Sequence, residues 1–297
     1  MRLAVTAIFF TVQVVGQVQS SSPPSLGDIA AERLRELIPE LRSAADSALV
    51  ANSTFQVSCN GIAATGFILL KPPPADGGKP RNFLTSAGHF FADCAAAGRD
   101  FVKVNLRYPL KDDPSHWDLK DLEIKIAGKG RPLWVKHPRS DVGIIPIELP
   151  VGVVEKPLLV DMLADSGTLR RDLYFGESVL SLGFPFAGSL SGLIGYPVLH
   201  PGQVAQPYAD GKRDIVVAFH VFPGDSGGPV YVVIRRVDSF QIFIVGLVAR
   251  TAYTEEVIVN GGGSNPQKWK VQQGVGYITP STDISETIKL LIDSSGV

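Results

Sequence analysis

Pro223-Gly224-Asp225-Ser226-Gly227-Gly228-Pro229 sets one serine inside a run of glycines, directly before an apolar stretch expected to be a strand over 228–234. Glycines there let the backbone turn tightly and aim successive N–H groups at one point, which is what an oxyanion-binding site requires. A serine hydroxyl is a weak nucleophile until a base takes its proton. Of the five histidines, His89 is the one placed for that work. It ends Phe83-Leu84-Thr85-Ser86-Ala87-Gly88-His89, an apolar strand running into small residues that leave an imidazole room at the strand end. A third group must orient the imidazole and stabilise its protonated form, and a carboxylate does both. Asp141 opens the apolar run Val142–Ile147 after a polar loop, and a carboxylate entering a core needs such partners.

Chain order sharpens the reading. The Gly-x-Ser-x-Gly pattern also occurs at the nucleophile turn of α/β-hydrolases, but there the acid and the histidine follow the serine. Here His89, His116, His137, His200 and His220 all precede Ser226, and strands do not alternate with long helices. From residue 52 onward the chain is a series of short apolar runs divided by Gly, Pro, Asn and Asp. About a dozen strands are expected: 54–59, 66–70, 81–86, 101–106, 122–126, 142–148, 178–183, 192–198, 214–219, 228–234, 240–249 and 274–278. Turn-rich inserts at 71–80, 108–117 and 254–268 are expected to be surface loops. The fold class is therefore all-β, in sandwich or barrel form. Two helices flank it. One covers the extension at 21–50, with Pro39 kinking it, and the other runs over 283–292 with Ser281 or Thr282 as cap.

Residues 1–20, with Arg2 ahead of the apolar stretch Leu3–Gly16, read as a secretory signal peptide. Past it, no run is long enough to span a bilayer, so no membrane association is expected once it is removed. The whole chain has 297 residues with 45% hydrophobic and 19% charged, and a formal net charge of −1 with both signs interspersed. That composition is too apolar for disorder, large enough for a full core, and lacks the basic footprint of a nucleic-acid binder. No metal-ligand spacing and no cofactor motif stand out, and His116, His137 and His200 are expected at the surface. Cys59 and Cys94 are the two cysteines; in an oxidising compartment a bond between them is expected, with two buried thiols as the alternative.

The three segments around His89, Asp141 and Ser226 together resemble the triad motifs of trypsin/chymotrypsin-like serine proteases. Thr85-Ser86-Ala87-Gly88-His89 is similar to the Thr-Ala-Gly-His of that clan, Asp141-Val142-Gly143-Ile144 to its Asp-[Ile/Val]-Ala-[Leu/Val], and Gly224–Pro229 matches its Gly-Asp-Ser-Gly-Gly-Pro completely. Leu182-Gly183-Phe184-Pro185-Phe186-Ala187-Gly188 and Gly274-Val275-Gly276-Tyr277-Ile278-Thr279-Pro280 are similar to stretches of the bacterial-type, HtrA-like branch, here without room for a PDZ domain. The resemblance covers about residues 55–292. It implies two six-stranded antiparallel β-barrels, the first over 51–160 carrying His89 and Asp141, the second over 161–297 carrying Ser226 and the C-terminal helix. It also implies a secreted serine endopeptidase acting on proteins or peptides. Ser226 would attack the carbonyl, His89 would take and return the proton, Asp141 would hold His89, and the N–H groups of Gly224 and Ser226 would bind the oxyanion. Three departures matter. No Arg/Lys-Ile-Val-Gly-Gly-like sequence precedes the first barrel, so the site is preformed or Asp225 has some other partner. Ala249 stands where many relatives place a serine touching the triad aspartate, so Asp141 must find that bond elsewhere. The implied specificity pocket, from Ala218–Val221 and Val248–Thr251, has no carboxylate, which disfavours Lys or Arg substrates. His220 with Thr251 would suit an acidic side chain, while a packed or solvated His220 is the alternative. The rival from another class is an inactive protease-fold protein that binds partners through the same cleft.

Overall fold

The computed structural model describes residues 48–75, 77–110, 117–153, 157–188, 195–211, 214–235, 240–258 and 267–295. The signal peptide expected at 1–20 and most of the extension at 21–50 lie outside the described residues, as does His116; of the extension only 48–50 is described, in a helical turn that runs to 52.

The first half begins with β1 (Thr54–Cys59) and β2 (Ile62–Lys71), joined at Asn60-Gly61. Both turn residues have positive φ, 44° and 84°, the conformation that favours an Asn-Gly two-residue hairpin. β3 (Arg81–Ala87) leads into helix α1 (Gly88–Ala96), an element the sequence pattern did not suggest. The hairpin β4 (Phe101–Pro109) and β5 (Trp117–Lys125) follows, then the short strands β6 (Ala127–Gly128), β7 (Arg131–Pro132) and β8 (Val135–Lys136), then β9 (Val142–Ile147) and β10 (Leu158–Leu159). The sheet runs β5-β4-β1-β2-β3-β9-β8, with β10 parallel to β2. Among the described residues no pairing joins its two end strands, so this half is an open sheet by its hydrogen bonds.

The chain passes from sheet to barrel just after β10. Leu163 bridges to Ile244, and α2 (Ser166–Asp172) starts with Asp165 accepting the Thr168 N–H at 2.7 Å. The strands β11 (Ser178–Gly183), β12 (Val198–Gln206), β13 (Ile215–Ala218), β14 (Pro229–Arg235), β15 (Phe240–Ile258) and β16 (Gln267–Pro280) close a six-stranded barrel in the order β11-β12-β13-β16-β15-β14. Helix α3 (Ser281–Ser295) ends the described chain. The all-β expectation holds, with three corrections to its elements. The strand expected at 192–198 lies at 198–206, and the described residues of the inserts at 108–117 and 254–268 are strand apart from Leu110, because β4–β5 and β15–β16 stay paired beyond their apolar stretches.

Burial explains the unbroken apolar runs. Along β2, β3 and β9, one face (Ile68, Leu84, Ile145, Ile147) joins the core of the first sheet, and the other (Phe67, Leu69, Phe83, Val142, Ile144) joins a second core shared with Leu182, Tyr231, Ile244 and Leu247 of the barrel half. Strands covered on both faces lose the polar alternation of a half-exposed sheet. Ile284, Ile288 and Leu291, one stripe of α3, complete that shared core. Cys59 at the end of β1 is bonded to Cys94 in α1 with Cα atoms 6.0 Å apart, which settles the open question about the thiols. Among the described residues no helix is long and apolar enough to cross a membrane.

Candidate active site

His89 is the second residue of α1, two residues beyond the end of β3, and Asp141 immediately precedes β9, the strand paired with β3. Strand pairing therefore delivers the two side chains to one corner. Asp141 uses both carboxylate oxygens on His89: Oδ1 accepts the backbone N–H at 2.8 Å, and Oδ2 lies 2.6 Å from ring Nδ1. The backbone bond is the partner that Asp141 needed in place of a serine at position 249. Because an ionised carboxylate only accepts, Nδ1 carries the hydrogen, and Nε2 keeps its lone pair for an incoming proton. Gly88 leaves room for the approach: a Cβ there would sit 3.1 Å from the Val142 carbonyl and 3.2 Å from Asp141 Oδ1, so those groups would have to shift by a few tenths of an ångström.

The electrostatics follow from the geometry. The hydrogen bond that His89 donates to Asp141 raises the pKa of His89 above its ordinary value against the opposing effect of burial, helped by the charges of Asp141 and Asp93. Burial pushes Asp141 upward, but the hydrogen bond and charge of His89, its backbone N–H and nearby Lys136 together outweigh this and hold the carboxyl below its usual range.

Ser226 shares a cleft of about 700 Å³ with His89 and Asp141. The turn that carries it is built by its neighbours. Asp225 N–H donates to the Phe222 carbonyl at 3.0 Å, and Asp225 Oδ2 accepts the Phe222 N–H at 2.8 Å. The Pro223 carbonyl accepts the Phe186 N–H at 2.6 Å. In a trans peptide the C=O and the following N–H point in opposite directions, so the Gly224 N–H faces away from Phe186. Among the described residues, neither the Gly224 nor the Ser226 N–H has an acceptor within the chain. Gly227, at φ +86°, cannot carry a side chain, because a Cβ would collide with the Thr65 carbonyl and the Ser86 hydroxyl.

Those collisions identify residues that sequence reasoning missed. Thr65 of β2 donates its N–H to the Ser226 carbonyl at 2.9 Å and its hydroxyl to the Gly224 carbonyl at 2.7 Å, and that hydroxyl accepts the Phe184 N–H at 2.9 Å. Ser86 Oγ donates to the Thr65 carbonyl at 2.6 Å. The sheet that carries His89 thus grips the turn that carries Ser226. In the sequence Thr65 is an unmarked polar residue just before the strand expected at 66–70; only in the structure does it stand fully buried inside β2.

For the remaining candidates, Thr251 lines the cleft with Val221, Phe222 and Ala249, its hydroxyl donating to the Val275 carbonyl at 3.2 Å. His220 is exposed, lies stacked near Phe222 with ring centroids 6.1 Å apart, and is not among the residues lining the cleft. His137, expected at the surface, is buried. Its Nδ1 accepts the N–H groups of Arg139 and Ser140 at 3.2 and 3.0 Å, because the polar loop before Asp141 wraps around the ring. Nε2 must then bear the hydrogen, 3.2 Å from Glu286. His137, Asp283 and Glu286 lie close enough to share a metal ion, yet a protonated Nε2 has no lone pair to give one, so this cluster does not fit a cation.

No family model matches the chain, and no curated protein matches it in sequence. Several solved structures are similar to it. An inactive form of the Rv3671c protease is 17% identical, with a TM-score of 0.45, covering 82% of this chain and 91% of that one. A mutant of Rv3671c from M. tuberculosis H37Rv, also inactive, is 17% identical with a TM-score of 0.46 over 84% and 91%. Deg5 is 19% identical with a TM-score of 0.45 over 72% and 86%.

Proposed function

We propose that this chain is a secreted serine endopeptidase that hydrolyses peptide bonds in proteins or peptides through an acyl-enzyme. The observation that carries the reading is the double clasp of Asp141 on His89 in the cleft that also holds Ser226. A histidine fixed in the Nδ1–H tautomer beside a serine is a general base awaiting a hydroxyl proton. Ser226 Oγ attacks the carbonyl carbon while its proton passes to His89 Nε2. The resulting imidazolium lies against the Asp141 carboxylate. The oxyanion takes the N–H groups of Gly224 and Ser226, which have no competing acceptor among the described residues. The tetrahedral species collapses as His89 returns the proton to the leaving amine, and water repeats the sequence in reverse to free the acid. The disulfide fits secretion, since such bonds persist in oxidising compartments.

Labelling with a fluorophosphonate probe tests this reading. Stoichiometric modification at Ser226, abolished in Ser226→Ala together with peptide hydrolysis, is the expected result. Intact secreted protein that neither reacts nor cleaves a peptide library refutes it and favours the binding-protein alternative.

A further inference from the structure

Asp225 is the least comfortable charge near the cleft. Its side chain is 2% exposed, and although Oδ2 accepts the Phe222 N–H, Oδ1 has no hydrogen-bond partner among the described residues. A carboxylate oxygen left bare in a protein interior is costly, so such groups are retained where something faces them. Facing Oδ1 at 3.5 Å is Nε2 of His200, 11% exposed and itself lacking a hydrogen-bond partner. The surroundings offer no substitute. β11, β12, β13, the turn Pro185–Gly188 and the segment 219–228 contain no Lys or Arg, and the other histidine among them, His220, is exposed and stacked near Phe222. Space is reserved for the contact as well. Gly183, beside Asp225, could not carry a Cβ without striking the carboxylate.

The pair sits at the base of the turn that presents the oxyanion-binding N–H groups. The Phe222 ring packs between His200, at 5.9 Å between centroids, and Phe186, at 5.4 Å, and Phe186 in turn holds the Pro223 carbonyl. Resting on the hydrolase reading above, we propose that His200 is a positioning residue for the reaction: its Nε2–H holds Asp225 in place, and Asp225 holds the Phe222–Ser226 turn with the Gly224 N–H directed at the oxyanion. This answers the question that the sequence left open about what Asp225 pairs with. His200 touches no reacting atom. It acts through the turn, so its loss weakens binding of the transition state more than binding of the substrate.

The test compares the secreted protein with its His200→Leu and His200→Gln variants, Gln keeping a donor where Leu has none. Losing one oxyanion donor lowers kcat by about 10²-fold or more. His200→Leu is expected to lose about that much in kcat and in fluorophosphonate labelling rate while KM stays within about threefold, and His200→Gln is expected to recover most of it. Equal losses in both variants, or none in either, overturn the proposal while leaving Ser226 labelling of the parent protein intact. Absence of labelling in the parent protein instead overturns the hydrolase reading and the proposal with it. Should His200→Leu not fold, ring-proton NMR on the parent protein decides. A His200 Nε2–H resonance that is lost in Asp225→Ala, which leaves no side-chain acceptor, supports the contact, and one that is unchanged refutes it.

Discussion

Asp141→Asn is the substitution whose outcome the geometry constrains most tightly. The carboxylate accepts on both oxygens, from the His89 backbone N–H at 2.8 Å and from ring Nδ1 at 2.6 Å. Asparagine has one acceptor and one donor end, so it cannot serve both. If its oxygen keeps the backbone N–H, its NH2 faces Nδ1 and forces the imidazole into the Nε2–H tautomer, which cannot take a proton from Ser226. If it flips, two donors confront each other at the backbone. Either state removes the base and the charge that stabilises the imidazolium. A wrong-tautomer histidine costs about 10⁴-fold in kcat, or about 5.5 kcal/mol of transition-state stabilisation. Because Asp141 raises the pKa of His89, the small residual activity should also have its acid limb shifted downward. The sign follows from the base being active only when neutral: a lower pKa leaves it neutral at lower pH. Measuring kcat/KM for a peptide ester from pH 5 to 9 in both proteins reads both effects. Activity of Asp141→Asn within tenfold of the parent, with an unmoved acid limb, would refute the assignment of base and orienting group.

In the parent protein, kcat/KM should fall on the acid side with a midpoint above 6.5, the ordinary histidine value, which steady-state rates across that range check directly. Thr65→Val keeps the shape but strips the hydroxyl that joins the Gly224 carbonyl to the Phe184 N–H. A loss of about 2 kcal/mol in urea unfolding is expected, together with a fall in kcat at nearly constant KM. Replacing both cysteines by serine removes a crosslink between positions 35 residues apart. Chain entropy sets its contribution at about 4 kcal/mol, read as a drop of roughly 10 °C in calorimetric Tm. Gly227→Ala must shed a positive φ and a collision with Thr65, so serine labelling should be lost even where circular dichroism still reports a folded sheet.

What could be read in advance was whatever a few adjacent residues decide. The glycines around Ser226, the small residues before His89 and the apolar run after Asp141 each announce a local shape, and so do most strands. What could not be read depends on partners distant in sequence. Thr65 looks like an ordinary residue ahead of the strand expected at 66–70 until the turn 159 positions later is laid against it. His137 and His200 look like surface histidines because no neighbour in sequence explains their burial. The β4–β5 and β15–β16 hairpins extend past their apolar stretches because ladder pairing carries polar residues into strand. Helix α1 was not foreseen, because its nine residues between the strands expected at 81–86 and 101–106 carry no long helical period; the core places Phe90, Phe91 and Cys94 on its buried side.

The place of α3 bears on when the proposed activity could first arise. All three residues of the proposed triad have left the ribosome well before Ser281 is added, yet the core between the two halves is finished by Ile284, Ile288 and Leu291. Until then, the apolar strip formed by Phe67, Phe83, Ile144 and Ile244 lacks its cover. The sheet bearing His89 and the barrel bearing Ser226 meet along that strip. Under the proposed function, hydrolysis therefore depends on α3 being in place, and a chain interrupted before α3 carries every proposed catalytic side chain without the full core between the two halves.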